Sequence, residues 1–303
     1  MGRRSIRLKE FIANLDYTIS PDEGYVNLRG GKPTIKPYRV QTDGDGFIKS
    51  GREETETRII GLGDSVLECL FVEEEHRICA RLEWELEKKI GQSITVLNGG
   101  YSGATSLHIL NTFVNKIVPL KPHAVFLMTG IMDLEAMFKV DSFWSIDGYL
   151  RSIVEDENNP GVWDQNFRSI VDSASRLKLQ SLIVRAGSMF DIPVCCIATP
   201  HLQSYAGSYI NNTYPDPSVY FERVNNRRAA NKSIEDFCYY NGIKYFDTQD
   251  SVANVEGAFC DDIHLNSTGT HLVAKSIIDQ GFGEFVRSAI ANREVSRQAE
   301  KHS

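Results

Sequence analysis

Arg58-Ile59-Ile60-Gly61-Leu62-Gly63-Asp64-Ser65 is the stretch that decides the fold. Residues 58–62 form a short apolar run, too short for a helix, so they read as a buried strand. From Ser65 onward the chain turns polar and helix-like. A strand that passes straight into a helix lifts the side chain at the turn above the sheet edge. It also sets the free backbone N–H groups of the helix start, with their partial positive charge, beside that side chain.

Outward from this turn the pattern repeats. Residues 94–97, 124–128, 193–198 and 243–246 are four more short apolar segments, most of them rich in Val, Ile, Leu or Phe. Strands buried on both faces need that composition. Helical patterns separate them. Ile78, Leu82, Leu86 and Ile90 recur every four residues through 73–90, and Gly91 stops that helix. Phe167, Ile170, Ala174, Leu177 and Leu182 mark a second helix over 164–186, and Ile234 with Phe237 a third over 229–240. Alternating strand and helix predicts right-handed crossovers and an α/β doubly wound parallel sheet with helices on both faces.

Ligands of such sheets bind beyond the carboxyl ends of the strands. Ser65 follows the first strand, Asn98 and Gly100 the second, residues 130–133 the third and His201 the fourth. Two long connections lie on the same edge. One spans 139–163 with Phe143, Trp144, Tyr149 and Trp163; the other spans 201–221 with Tyr205, Tyr209, Tyr214 and Tyr220. Long aromatic loops there are expected to wall a substrate pocket, with His201 touching the substrate.

A serine hydroxyl becomes a nucleophile when a base and an orienting acid stand behind it. Asp261-Asp262-Ile263-His264 offers both, from the far end of the chain. Each motif alone has a plain structural reading: Gly63-Asp64-Ser65 as a turn and helix cap, His264 as a histidine near a helix start. Competing chemistries lack residues. Gly61-Leu62-Gly63 begins a dinucleotide fingerprint, but Val66 stands where the third glycine would and no acid ends the second strand. Gly100-Tyr101-Ser102-Gly103-Ala104 fails the last glycine of a lipase elbow. Asp261 or Asp262 with His264 would need further ligands to hold a metal, and no H-x-H or H-E-x-x-H supplies them.

These blocks, in order and spacing over about residues 58–290, resemble the SGNH hydrolases, also called GDSL-type esterases. Gly63-Asp64-Ser65 is similar to the family's first block, with Glu68 where many members also carry an acid. Asn98-Gly99-Gly100 is similar to the second block and Asp261 to His264 to the last. In the third block, Gly130-Ile131-Met132-Asp133, Met132 stands in place of the family's oxyanion-binding asparagine. The resemblance implies a flavodoxin-like three-layer α/β/α fold with a five-stranded parallel sheet. It implies Ser65 as nucleophile, His264 as base, Asp261 as orienting acid, and an oxyanion hole from the backbone N–H groups of Ser65 and Gly100. Met132 and His201 are expected at the substrate, and no metal or organic cofactor is expected. The implied activity is serine-dependent hydrolysis of a small-molecule ester with an acetyl-like acyl group. The tyrosine-rich loop suggests a carbohydrate as its alcohol. An O-acyltransferase with the same triad and a binding protein with weakened catalysis are the alternatives.

Composition bounds the rest. A net charge of −7 and a pI near 5.6 argue against nucleic acid as a partner. No apolar run is long enough to span a bilayer. The basic start, Met1 to Lys9, leads into no apolar stretch, so no secretory signal is supported and a cytoplasmic protein is expected. The six cysteines contain no C-x-x-C pair and read as buried thiols. Residues 1–57 are expected to be an extension packed on a catalytic domain of 58–290, without chemistry of their own, and 291–303 a polar tail. Oligomeric state is not set by any of these features.

Overall fold

The computed structural model describes residues 5–146, 148–154 and 172–300. Five parallel strands form the central sheet: β1 (Arg58–Gly63), β2 (Thr95–Gly100), β3 (Ala124–Met128), β4 (Val194–Ile197) and β5 (Tyr245–Phe246). Their order across the sheet is β2-β1-β3-β4-β5, all in parallel register. This is the flavodoxin-like winding, whose switch point lies between β1 and β3.

Successive side chains of a strand point to opposite faces, so a strand covered on both sides must be apolar throughout. Ile59, Phe126 and Cys195 pack on one face against the helices Ile78–Ile90, Ser267–Asp279 and Phe282–Glu300. Their neighbours Ile60, Val125 and Cys196 pack on the other. There the cover is the helices Ser106–Thr112, Ser173–Met189 and Pro217–Asn241. The result is three layers with a core on each side of the sheet.

Helix boundaries differ from the sequence expectation in three places. The first helix is broken at Arg77, whose backbone is extended (φ −64°, ψ 156°) between a 3₁₀ turn Glu74–His76 and the helix Ile78–Ile90. The second is seen from Ser173 to Met189; Phe167 and Ile170 lie outside the described residues. The third begins at Pro217, ahead of its expected start, because Asp216 caps it by accepting from the Ser218 N–H at 2.8 Å. Residues 201–221 are therefore no long loop: they hold a helix, Ser208–Thr213, and the start of the next. At the other end, the helix Phe282–Glu300 runs through the expected boundary at 290 without a break. Among the described residues no helix is long and apolar enough to cross a membrane.

The chain ahead of β1 is bonded into this body. Ile48 and Asn98 exchange backbone hydrogen bonds of 2.9 and 3.1 Å, which covers the outer edge of β2. Asp16–Ile19 pairs antiparallel with Tyr38–Gln41, and Ser5–Ile6 with Ile153–Val154. Between those strands a short helix, Glu23–Leu28, is capped by Asp22 and ended by Gly30 and Gly31 at φ +66° and +86°. A Cβ at Gly30 would stand 1.8 Å from Ser208 Oγ, so glycine lets this turn close against the helix Ser208–Thr213.

Candidate active site

Asp64 makes the strand-to-helix turn. Its Oδ1 accepts from the Val66 N–H at 3.0 Å, capping the short helix Ser65–Glu68. Its Oδ2 accepts from the Met132 N–H at 3.2 Å and ties this turn to the end of β3. Cys69 ends the helix in the left-handed region at φ +53°. Ser65 thus occupies the first helical position, where the backbone N–H has no intrahelical acceptor.

A tight turn carries the opposing groups. Phe259 and Leu265 pair antiparallel, and the Cys260 N–H donates to the His264 carbonyl at 2.8 Å. Inside that turn Asp261 Oδ1 accepts from the N–H groups of Ile263 (2.9 Å) and His264 (2.7 Å). Asp261 Oδ2 stands 2.8 Å from His264 Nδ1, and His264 Nε2 stands 3.0 Å from Ser65 Oγ. Acid, imidazole and hydroxyl therefore form one continuous relay.

Electrostatics follow from burial and pairing. Burial works to lower the His264 pKa, but the Asp261 charge and hydrogen bond prevail and hold it above the usual histidine value. Burial likewise works to raise Asp261, yet the His264 charge and its hydrogen-bond donors hold the carboxyl well below the ordinary range. Asp262, the next residue, faces away: its Oδ2 accepts from Arg227 Nη2 at 2.6 Å and Tyr214 Oη at 3.0 Å. Two further carboxyls lie near the serine. Burial pushes Asp64 up to about 6 and Glu68 up to about 7. Glu68 accepts from the Ser102 N–H at 3.1 Å and from the Ser102 hydroxyl.

A cleft of about 240 Å³ opens beside Ser65 and His264. Its walls come from Tyr25 and Pro33 ahead of the sheet, Leu70 and Phe71 after the short helix, and Tyr149 and Leu265. Glu68 and Ser102 are its polar side. A larger cavity of about 660 Å³ lies at the opposite edge, among Lys121, Pro193 and Lys244 before β3, β4 and β5. In this fold class ligands bind at the other edge, where the relay is.

Several expected site residues stand elsewhere. The Gly100 N–H donates to Asn98 Oδ1 at 2.8 Å, so it is already engaged and not free for an oxyanion. Gly100 is needed for packing instead: a Cβ there would lie 2.5 Å from the Glu68 backbone nitrogen. The Met132 side chain is half-buried against a cluster that includes Met137, Phe143 and Leu179, and the cleft is lined without it. His201 is fully buried, its pKa lowered to about 3 by burial and then by the Arg227 charge, and it does not reach the cleft. Of the four tyrosines in 201–221, Tyr220 is buried in the core, and the half-buried Tyr205 and Tyr214 pack against its ring at 5.7 and 5.3 Å. Of the other loop, Tyr149 does line the cleft, while Trp163 lies outside the described residues.

Residues that sequence reasoning passed over come from the N-terminal segment. Tyr25 walls the cleft and packs on Phe71 with centroids 5.2 Å apart. Arg29 Nε donates to Asp261 Oδ2 at 2.9 Å. The only local signal was the turn pair Gly30-Gly31 beside it. All six cysteines are free and buried; Cys69 and Cys260 border the cleft, and burial pushes both thiols up to about 12. Among the described residues no group of three or more His, Cys, Asp or Glu side chains gathers that could hold a metal ion.

A profile of the GDSL-like Lipase/Acylhydrolase family matches residues 62–272. The fold is similar to that of a variant of Axe2, an acetyl-xylooligosaccharide esterase from Geobacillus stearothermophilus. That pair shares 13% identity at a TM-score of 0.51, covering 75% of this chain and 94% of that one. A GDSL-like lipase from Bacteroides thetaiotaomicron gives 14% identity and a TM-score of 0.43 over 76% of this chain and 88% of that one. At 13% identity the likeness to the Axe2 variant speaks for the fold alone. Comparison with curated proteins yields no match.

Proposed function

The chain belongs to the GDSL-like lipase/acylhydrolase family and is a carboxylic ester hydrolase; on that premise we propose that Ser65, His264 and Asp261 cleave an ester of a small acyl group through an acyl-enzyme. The observation that carries this reading is the unbroken relay of 3.0 and 2.8 Å from Ser65 through His264 to Asp261. In the first half-reaction His264 Nε2 takes the proton of Ser65 Oγ as the oxygen attacks the ester carbonyl. Asp261 holds the imidazole in the tautomer that presents a bare Nε2 and stabilises the imidazolium that forms. The Ser65 N–H, at the positive end of its short helix, meets the developing oxyanion. The imidazolium then protonates the departing alcohol, and a water molecule, activated by the same histidine, releases the acid.

Size favours a small acyl group. A cleft of about 240 Å³ falls below the roughly 300–1,000 Å³ of pockets that take drug-sized ligands. Its mainly apolar walls suit a short hydrocarbon better than a charged group. None of the four tyrosines of 201–221, which suggested a carbohydrate alcohol, lines the cleft, so the proposal is confined to the acyl side. A binding protein with decayed catalysis draws no support from an intact relay. Chromogenic esters of increasing chain length test the proposal. Acetate to butyrate should be cleaved with higher kcat/KM than octanoate or longer, and Ser65→Ala should reduce turnover by at least about 10³-fold. Full activity of a folded Ser65→Ala protein, or a preference for long chains, would sink the respective half of the reading.

A further inference from the structure

Asp261 has four donors around one carboxylate. Oδ1 takes the N–H groups of Ile263 and His264, and Oδ2 takes His264 Nδ1 at 2.8 Å together with Arg29 Nε at 2.9 Å. A carboxylate offers about four lone-pair sites, so none is left to let it swivel. Three of the donors belong to Asp261's own turn. The fourth comes from a residue far away in sequence, ahead of the segment 62–272 that carries the family likeness.

Arg29 is itself held. Its side chain keeps 12% exposure and its Asp261 partner 2%. Its Nη1 donates to the Tyr25 carbonyl at 3.2 Å, and the guanidinium lies over the Tyr25 ring at 3.5 Å and near the Tyr209 ring at 5.1 Å. Such stacking and a charge-assisted bond from a planar group fix direction as well as charge. Gly30, directly after it, closes against Ser208, so the backbone that carries Arg29 is anchored too.

We infer that Arg29 is a positioning residue for ester cleavage, clamping Asp261 in the orientation that aligns His264 with Ser65. This rests on the roles proposed for those three residues. The clamp also has an electrostatic side. The groups that act on His264 are Asp261 and Asp262 from its own turn and Arg29 from the C-cap of the helix Glu23–Leu28. Asp64 and Glu68 feel its charge from the serine turn, and Tyr25, Tyr209 and Cys260 surround Asp261 and Arg29. The anions favour the imidazolium and Arg29 disfavours it. Without Arg29 the histidine would hold its proton to higher pH and be a poorer acceptor near neutrality.

The test uses the full chain, p-nitrophenyl acetate and kcat/KM measured against pH. Arg29→Gln and Arg29→Met remove the charge; Met keeps an apolar stem on Tyr25. Both should move the acidic limb upward by about half to one pH unit and lower kcat about tenfold at neutral pH, with KM little changed. Arg29→Lys retains charge without the planar fork, so it should bring the limb back toward wild type while kcat stays reduced. A merely structural arginine would change the melting temperature and leave the limb in place. A folded neutral variant whose limb and kcat match wild type overturns the inference, and so does failure of both neutral variants to fold. Ser65→Ala, run alongside, separates the two levels: if it is inactive while Arg29 variants are normal, the triad stands and only the clamp falls.

Discussion

Residues 22–33 and residues 201–221 exchange the parts that their sequences suggest. The first segment has little to recommend it, yet Tyr25 and Pro33 wall the cleft and Arg29 reaches Asp261. The second is rich in tyrosine on the correct edge of the sheet, yet Tyr220 is fully buried and donates to the Leu202 carbonyl at 2.7 Å. Each segment takes one of two adjacent carboxylates. Arg29 holds Asp261 toward the imidazole, while Tyr214 and Arg227 hold Asp262 in the core. The same residue type at neighbouring positions thus faces the imidazole in one case and the core in the other. An aromatic count locates surface to be buried; it does not say whether protein or substrate buries it.

The two carboxylates give the largest expected contrast. Asp261→Asn should lower kcat by about 10⁴-fold, because an amide favours the wrong imidazole tautomer, with the fold kept. Asp262→Asn should act on stability instead. It leaves Arg227 buried and unpaired, which costs about 3–5 kcal/mol, and the folded fraction should turn over ester normally. Steady-state kinetics and a thermal melt on both proteins decide the matter; a damaging Asp262→Asn with a silent Asp261→Asn would reverse the assignment.

A tyrosine from each segment sharpens the contrast at smaller magnitude. Tyr220→Ala should cost about 3–5 kcal/mol of stability and leave KM unchanged, since the ring is core. Tyr25→Ala should raise KM several-fold with a much smaller loss of stability, since its half-buried ring borders the cleft. Equal effects of both on KM would end the distinction between the segments.

pH comes next. His264 accepts a proton only when neutral, and Asp261 lifts its pKa above the usual value of about 6.5. Activity should therefore rise with pH through a midpoint above that value and fall as pH drops below it. Glu68, pushed up to about 7, titrates in the same window, so Glu68→Gln should make the limb less steep. A wild-type midpoint below 6 would contradict the pairing.

The smallest effect is expected at Met132. Its backbone N–H already serves Asp64, and its side chain packs on the cluster around Phe143. Met132→Asn should cost about 1 kcal/mol and change kcat less than about twofold. A large gain in kcat would place that side chain at the oxyanion after all.

The five strands and the serine turn were legible because local pattern sets them. A strand buried on both faces is mostly apolar, and Asp64-Ser65 after β1 is a cap that neighbouring residues make by themselves. Asp261 and His264 were legible for the same reason, since their hydrogen bonds close within one turn. The helix start at Pro217 could have been read from Asp216-Pro217, but an apolar stripe over 229–240 drew attention later in the chain.

Sequence by itself therefore determined the layered sheet and the local turns that carry Ser65, Asp261 and His264. Tertiary structure alone decided which groups meet them. Gly100 turned its N–H to Asn98, His201 sank beneath the surface, and Arg29 arrived at Asp261 across a gap of more than two hundred residues. The physical reason is range. Strand alternation, helix periodicity and caps are settled between residues a few positions apart. The direction of a side chain over a cleft is settled by packing between segments whose separation leaves no periodic trace in the chain.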